Sequence, residues 1–207
     1  MPPFFFFAAA LCAVAQAQDV PRPQVKAGDS WTFRRVEYET NSVTGVFTAQ
    51  VTFANERVIQ VVSQRQGGGK EIDSTFTAEW NQVSSANSGI FEPHQDIFRF
   101  PLRPGNTHEA RYEVKFPQQG AYQVRHERKV RVIGWEEVQV PAGRFRALRV
   151  ESEGTFRRLD ISLSGTAKEV MWYVPDVKRY VKWTFENSTF RGRVQWWGFE
   201  LVGYKVQ

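Results

Sequence analysis

Along most of the chain, apolar and polar residues alternate with a period of two. "FTAQVTF" puts Phe47, Ala49, Val51 and Phe53 on one face, and "EIDSTFTAEW" does the same with Ile72, Ser74, Phe76, Ala78 and Trp80. In "HEARYEVKF", Ala110, Tyr112, Val114 and Phe116 alternate with Glu109, Arg111, Glu113 and Lys115. "VKRYVKWTFE" carries Val177, Val181, Trp183 and Phe185 on one side. Such alternation marks antiparallel strands with one wet face and one buried face. The final run, "FRGRVQWWGFELVGYKV", is apolar on both faces. Phe190, Val194, Trp196, Val202, Tyr204 and Val206 share one face, with Trp196 expected inward. Trp197, Phe199 and Leu201 share the other, which suggests a central or partly covered strand.

Turn residues separate these runs: Asn41 to Gly45, Gly67-Gly68-Gly69, Asn87-Ser88-Gly89, Pro104-Gly105-Asn106, Pro117 to Gly120, Pro141-Ala142-Gly143 and Gly165. Glycine supplies positive φ and proline presets φ for a turn. A turn signal at roughly every ten residues is the pattern of a meander, sandwich or barrel. The count reaches about eleven or twelve strands, more than an open sheet holds without curling. The expected fold is therefore all-β: a curved antiparallel sheet forming a closed or half-open β-barrel, with little helix. A short helical turn near residues 81–88 is the one place where the pattern leaves room for helix.

Composition adds a core and a compartment. The chain has 207 residues, 42% apolar, 24% charged and 14% aromatic, which suits a single ring-rich β domain. Residues 1–17, "MPPFFFFAAALCAVAQA", hold an apolar block too short for a membrane span and a small-x-small cleavage site, Ala15-Gln16-Ala17. They read as a signal peptide cut after Ala17. The opening Met-Pro-Pro lacks the usual basic residues, so a natural start upstream is expected. Residues 18–27, "QDVPRPQVKA", read as an extended leader, and residues 28–207 as the β domain. Cys12 is the only cysteine and leaves with the signal, so no disulfide or cysteine-based metal site remains. Export to the periplasm or the medium of a bacterium follows, with no transmembrane anchor in the mature chain. The net charge of +5 then points away from nucleic acid and toward cell-envelope components: anionic lipid, peptidoglycan or acidic polysaccharide.

Three clusters are specific: Gly28-Asp29-Ser30-Trp31, Val140 to Phe145 ("VPAGRF"), and Trp172 to Val177 ("WYVPDV"). Together they resemble a family of exported bacterial proteins that carry a domain of unknown function, labelled TapB-like. Arg144 departs from the small or acidic residue that is usual after Ala-Gly in that family. The resemblance implies a curved antiparallel sheet, similar to the half-barrels that carry lipoproteins or lipids across the periplasm. It implies no reaction.

The search for chemistry is short. His94, His108 and His126 show no metal-ligand spacing, and no Gly-x-Ser-x-Gly elbow occurs. The Glu136-Glu137 and Glu151/Glu153 pairs lie among arginines, and "QGGGKE" lacks phosphate-loop spacing. No acid, base and nucleophile set can be assembled, so a non-catalytic protein without cofactor or metal is expected. Trp31, Phe33, Phe76, Trp80, Tyr112, Trp172, Trp183 and Trp196 are expected on the concave face. They form either a packed core or the lining of a cavity for a lipid or other apolar small molecule. Arg35, His126 and Arg128 interrupt inward runs; as buried polar groups they need acidic partners such as Glu37 or an anionic ligand head. Arg144, Arg146 and Arg149, with Arg157 and Arg158 nearby, offer a basic surface for an envelope partner, or a charged edge that resists aggregation. Rings on an outer face, Trp197 among them, would stack on sugars.

Overall fold

Each strand pairs antiparallel with the next, and the last returns to the first, closing a twelve-stranded barrel. The computed structural model describes residues 19–207; the cleavage after Ala17, Cys12 and the expected upstream start lie outside the described residues. The strands are β1 Ser30–Glu37, β2 Ser42–Ala54, β3 Val58–Arg65, β4 Ile72–Thr77, β5 Gln82–Ser85 and β6 Gly89–Glu92. The second half comprises β7 Thr107–Phe116, β8 Tyr122–Val140, β9 Gly143–Arg158, β10 Ser164–Val174, β11 Arg179–Thr189 and β12 Gly192–Lys205. One 3₁₀ turn, Pro175–Val177, joins β10 to β11. The segment expected to admit a helical turn is strand β5 instead, because Asn81 anchors it to the chain below. Asn81 Oδ1 accepts from the amides of Ile97 (2.7 Å) and Phe98 (2.8 Å), and its Nδ2 donates to the Phe98 carbonyl (2.7 Å).

Period two puts the charged residues outside. On β7 and β8 the outward ladder pairs Glu109 with Lys129, Arg111 with Glu127 and Glu113 with Arg125. Opposite charges at directly facing positions stabilise such a ladder modestly. The outer face of β7 and β8 is thus charged, unlike the apolar outer band of a lipid-facing barrel. Among the described residues no helix is long and apolar enough to cross a membrane. In β2 one expected inward residue is displaced: the register shifts between Val51 and Phe53, and Phe53 is exposed. A bulge inserts one residue, so everything beyond it changes face.

The two ends of the barrel differ. Short turns at one end leave a mouth. At the other end, residues 93–106 cross beneath the strands, and the leader pairs with them through the Val20–Leu102 bridge. The core is densest here: Trp31, Leu102, Leu148, Val177, Val181 and Leu201 are each fully buried, and each such aliphatic side chain contributes about 1.5–3 kcal/mol.

All three sequence clusters meet at this floor. Asp29 is 0% exposed; it accepts from the amides of Lys26 (3.0 Å) and Gln207 (2.9 Å) and from Lys178 Nζ (3.0 Å). Trp31 Nε1 donates to the Val177 carbonyl at 2.8 Å. The "VPAGRF" hairpin folds across the end: the Ala142 amide donates to the Leu201 carbonyl (3.0 Å), and the Phe145 ring meets that of Tyr204. Gly143, at φ +134°, adopts the turn conformation that side chains resist.

Candidate ligand-binding site

A cavity of about 790 Å³ runs from the mouth to the floor. That volume lies within the usual range for small-molecule sites, about 300–1,000 Å³. Twelve strands enclose a wider interior than the eight that side chains just fill. Rings line much of the wall, among them Phe33, Phe47, Phe76, Trp183, Trp197 and Phe199. Trp183 stacks on Phe199 at 5.6 Å and meets Trp197 edge-on at 4.9 Å. Polar groups occur at three levels.

At the mouth, Arg35 reaches over the Trp197 ring (4.4 Å) and pairs with Glu37 at 2.8 Å. Arg158 lies over Tyr122 (4.0 Å) and pairs with Asp160 at 2.6 Å.

Midway down sits a buried ion pair. Arg128 and Glu169 are each 3% exposed, with Nη2 and Oε1 3.9 Å apart. Trp183 Nε1 (3.1 Å) and Gln95 Nε2 (3.3 Å) donate to Glu169, and Arg128 Nη1 donates to the Ala167 carbonyl. Burial pushes the Glu169 carboxyl above its usual range, against the opposing pull of Arg128. His126 stacks on Tyr112 at 4.9 Å, and its Nδ1 accepts from Arg128 Nη2 at 3.1 Å. Burial, with the Arg128 charge, lowers the His126 pKa to about 3. The imidazole is therefore neutral and serves as a hydrogen-bond acceptor.

At the floor, Arg179 is 7% exposed and enclosed by rings. Its guanidinium lies 4.3 Å from the Trp80 centroid, 5.2 Å from Trp31, 5.3 Å from Tyr180, 5.5 Å from Phe76 and 5.8 Å from Phe33. Trp80 is fixed in turn by its Nε1, which donates to the Lys178 carbonyl at 2.8 Å.

The structure brings most of the expected residues together. Phe33, Arg35, Phe76, Trp80, Tyr112, His126, Arg128 and Trp183 all line the cavity. Trp31 lies just below, in the packed floor. Trp172 and Trp196 do not belong to the lining. Trp172 is on the outer wall, donating to Glu136 beneath Arg149. Trp196 is also outside, between Tyr38 (5.3 Å) and Arg193 (4.7 Å). In β12 the smaller apolar set is the inward one, so Trp197 lines the cavity instead of the surface. Outer rings covered by guanidinium groups are stable in water, so apolar count alone did not identify the inner face.

Of the basic surface set, Arg144 and Arg146 are exposed, with Arg146 over the Trp135 ring at 5.3 Å. Arg149 is held by Glu136 and Glu151. Arg179 and Glu169 were not anticipated, although the signal was present. Arg179 shares the odd-numbered register of Val177, Val181 and Trp183, and Glu169 that of Met171 and Tyr173. Among the described residues no cluster of His, Cys, Asp and Glu could hold a metal ion.

No protein-family model matches the chain, and no curated protein matches it. Two solved structures are similar. One, from Bacteroides fragilis, is described as a "putative exported protein with YmcC-like fold"; it shares 16% identity at a TM-score of 0.51, over 91% of this chain and all of that one. The other, a "putative lipoprotein" from Parabacteroides distasonis, shares 15% identity at a TM-score of 0.47 over the same shares of the two chains. At such identity the first establishes a common fold and nothing finer.

Proposed function

We propose that this protein is a non-catalytic container for an apolar or amphipathic molecule, working outside the cytoplasm in a bacterial cell envelope. The observation that carries the reading is the ring-lined cavity, closed at the floor and reached from the mouth. The wet, charged outer wall fits a barrel that holds its cargo inside. An exported location draws on the apolar segment 1–17 and on the fold shared with a protein described as exported. The likeness of the three clusters to the TapB-like family is consistent with this. Those clusters build the floor, so their place in the reading is to keep one end of the container shut.

The test is native mass spectrometry of protein purified gently from its own envelope, followed by organic extraction. A reproducible lipid-sized adduct is expected. Bare polypeptide from several preparations, with no binding of alkyl probes, would sink the reading. A second reading, docking of an envelope partner, rests on the exposed Arg144 and the Arg146–Trp135 stack. It predicts that R144E/R146E/R149E loses binding to anionic vesicles at low salt. Unchanged binding would end it.

A further inference from the structure

Four arginines line the cavity: Arg35, Arg128, Arg158 and Arg179. Three have acidic partners, namely Glu37, Glu169 and Asp160. Arg179 has none among the described residues. Its Nε and Nη1 are both buried without a hydrogen-bond acceptor. Rings supply only the face-on part of what a guanidinium needs. Its in-plane N–H donors require oxygen. A buried charge left in that condition is costly unless something completes it. The deepest point of an apolar cavity thus carries one uncompensated positive charge.

We infer that Arg179 is the head-group site of the container, receiving the carboxylate of a long-chain amphiphile whose tail runs up the ring-lined wall to the mouth. The inference rests on the container reading and specifies its cargo. A carboxylate matches the planar fork of a guanidinium and satisfies two donors at once. Nε and Nη1 are covered by the surrounding rings, so the carboxylate is received as those rings move aside. The tail has a matching path. From Tyr180 to Asn187, both cavity-lining residues of β11, the strand extends roughly 23 Å at about 3.3 Å per residue. Arg128 is the weaker candidate for the head: one of its buried donors, Nε, lacks an acceptor where two of Arg179 do, and the Glu169 carboxylate lies 3.9 Å from its Nη2.

The test compares dodecanoate with dodecanol, probes of equal tail and different head, by tryptophan fluorescence titration and calorimetry. Wild-type protein is expected to bind dodecanoate at least tenfold more tightly. In Arg179→Met the preference should fall to about one, while dodecanol binding persists. In Arg158→Gln, at the mouth, the preference should survive. Arg179→Met should also unfold at a higher temperature than wild type without ligand, and lose the stabilisation that dodecanoate gives wild type. Equal wild-type affinities for the two probes overturn the head-group site but leave the container intact. Binding of neither probe overturns both. Should Arg179→Met fail to fold, Arg179→Gln and the wild-type comparison decide the matter, and a preference kept in Arg179→Gln overturns the assignment.

Discussion

Two of the buried charged side chains in this barrel, Arg128 and Glu169, are matched to each other, and the matching can be tested. Glu169 and Arg128 neutralise each other midway down the cavity wall. Removing one partner of a buried pair strands the other, at a cost of about 3 kcal/mol or more, whereas replacing both by apolar groups is often neutral. Glu169→Gln should therefore destabilise the protein clearly in urea unfolding, and adding Arg128→Met should recover most of the loss. Additive losses in the double variant would contradict the pairing. His126 makes the fold sensitive to acid. Its pKa falls from 6.5 to about 3 on folding, so the unfolded chain binds more protons between those values. Stability then drops as pH falls through that window, with a slope approaching ~1.4 kcal/mol per pH unit. Glu169, whose pKa is raised, acts in the opposite sense as the solution is acidified. The clean measurement is a difference: urea midpoints at pH 7 and pH 4.5 for wild type and His126→Gln. The variant should lose less on acidification, and an identical loss would remove His126 as the source.

At the scale of the strands, side-chain parity and close backbone approach decide which face a residue takes. Gly154 of β9 lies opposite Arg128 of β8. A Cβ there would sit 2.0 Å from the Glu127 carbonyl oxygen, which cannot yield without parting the two strands. Gly203 of β12 has nothing within 4 Å of the same position. Gly154→Ala is expected to cost about 1–3 kcal/mol, as forced overpacking does, and Gly203→Ala to stay within about 0.5 kcal/mol. Thermal unfolding of the two variants side by side gives the answer, and equal midpoints would refute the clash. Parity also explains what the sequence made visible. Regular alternation identified the inward residues of β4, β7 and β11, and with them part of the cavity lining. It misled in β12, where both faces are apolar, and beyond the bulge in β2, where one extra residue moved Phe53 outside. Trp172 lies outside because its neighbours Met171 and Tyr173, of the opposite parity, face the cavity. The charged Arg179 and Glu169 share the parity of inward neighbours, yet a charge on such a run reads as readily as solvated as buried.

For the molecule as a whole, the meander and its curling were legible because turns punctuate it at nearly every strand. The shut floor was not. Residues 93–106 and the leader carry no period, and only folding shows that Leu102 and Val20 seal the end. The barrel is also uneven around its circumference. The ladder between β8 and β9 extends from Val124↔Arg158 to Val140↔Gly143. Between β5 and β6 the registered partners are Ser84↔Ile90 and Ser85↔Gly89 alone. A closed barrel has no free edge, so sideways opening must start where the fewest ladder bonds break, along β4, β5 and β6. Local openings of that kind govern amide exchange. Native-state hydrogen exchange should therefore show the amides of β5 and β6 exchanging much faster than those of Val130 and Val150, which are fully buried in the long ladder. Floor residues such as Trp31 and Val181 should exchange only with global unfolding. A bound amphiphile touching Gln82, Ser85 and Phe91, all of which line the cavity, should slow the seam and leave the floor unchanged. Uniform protection around the barrel would show that the seam is no weaker than the rest. Cargo would then have to pass through the mouth with every strand in place.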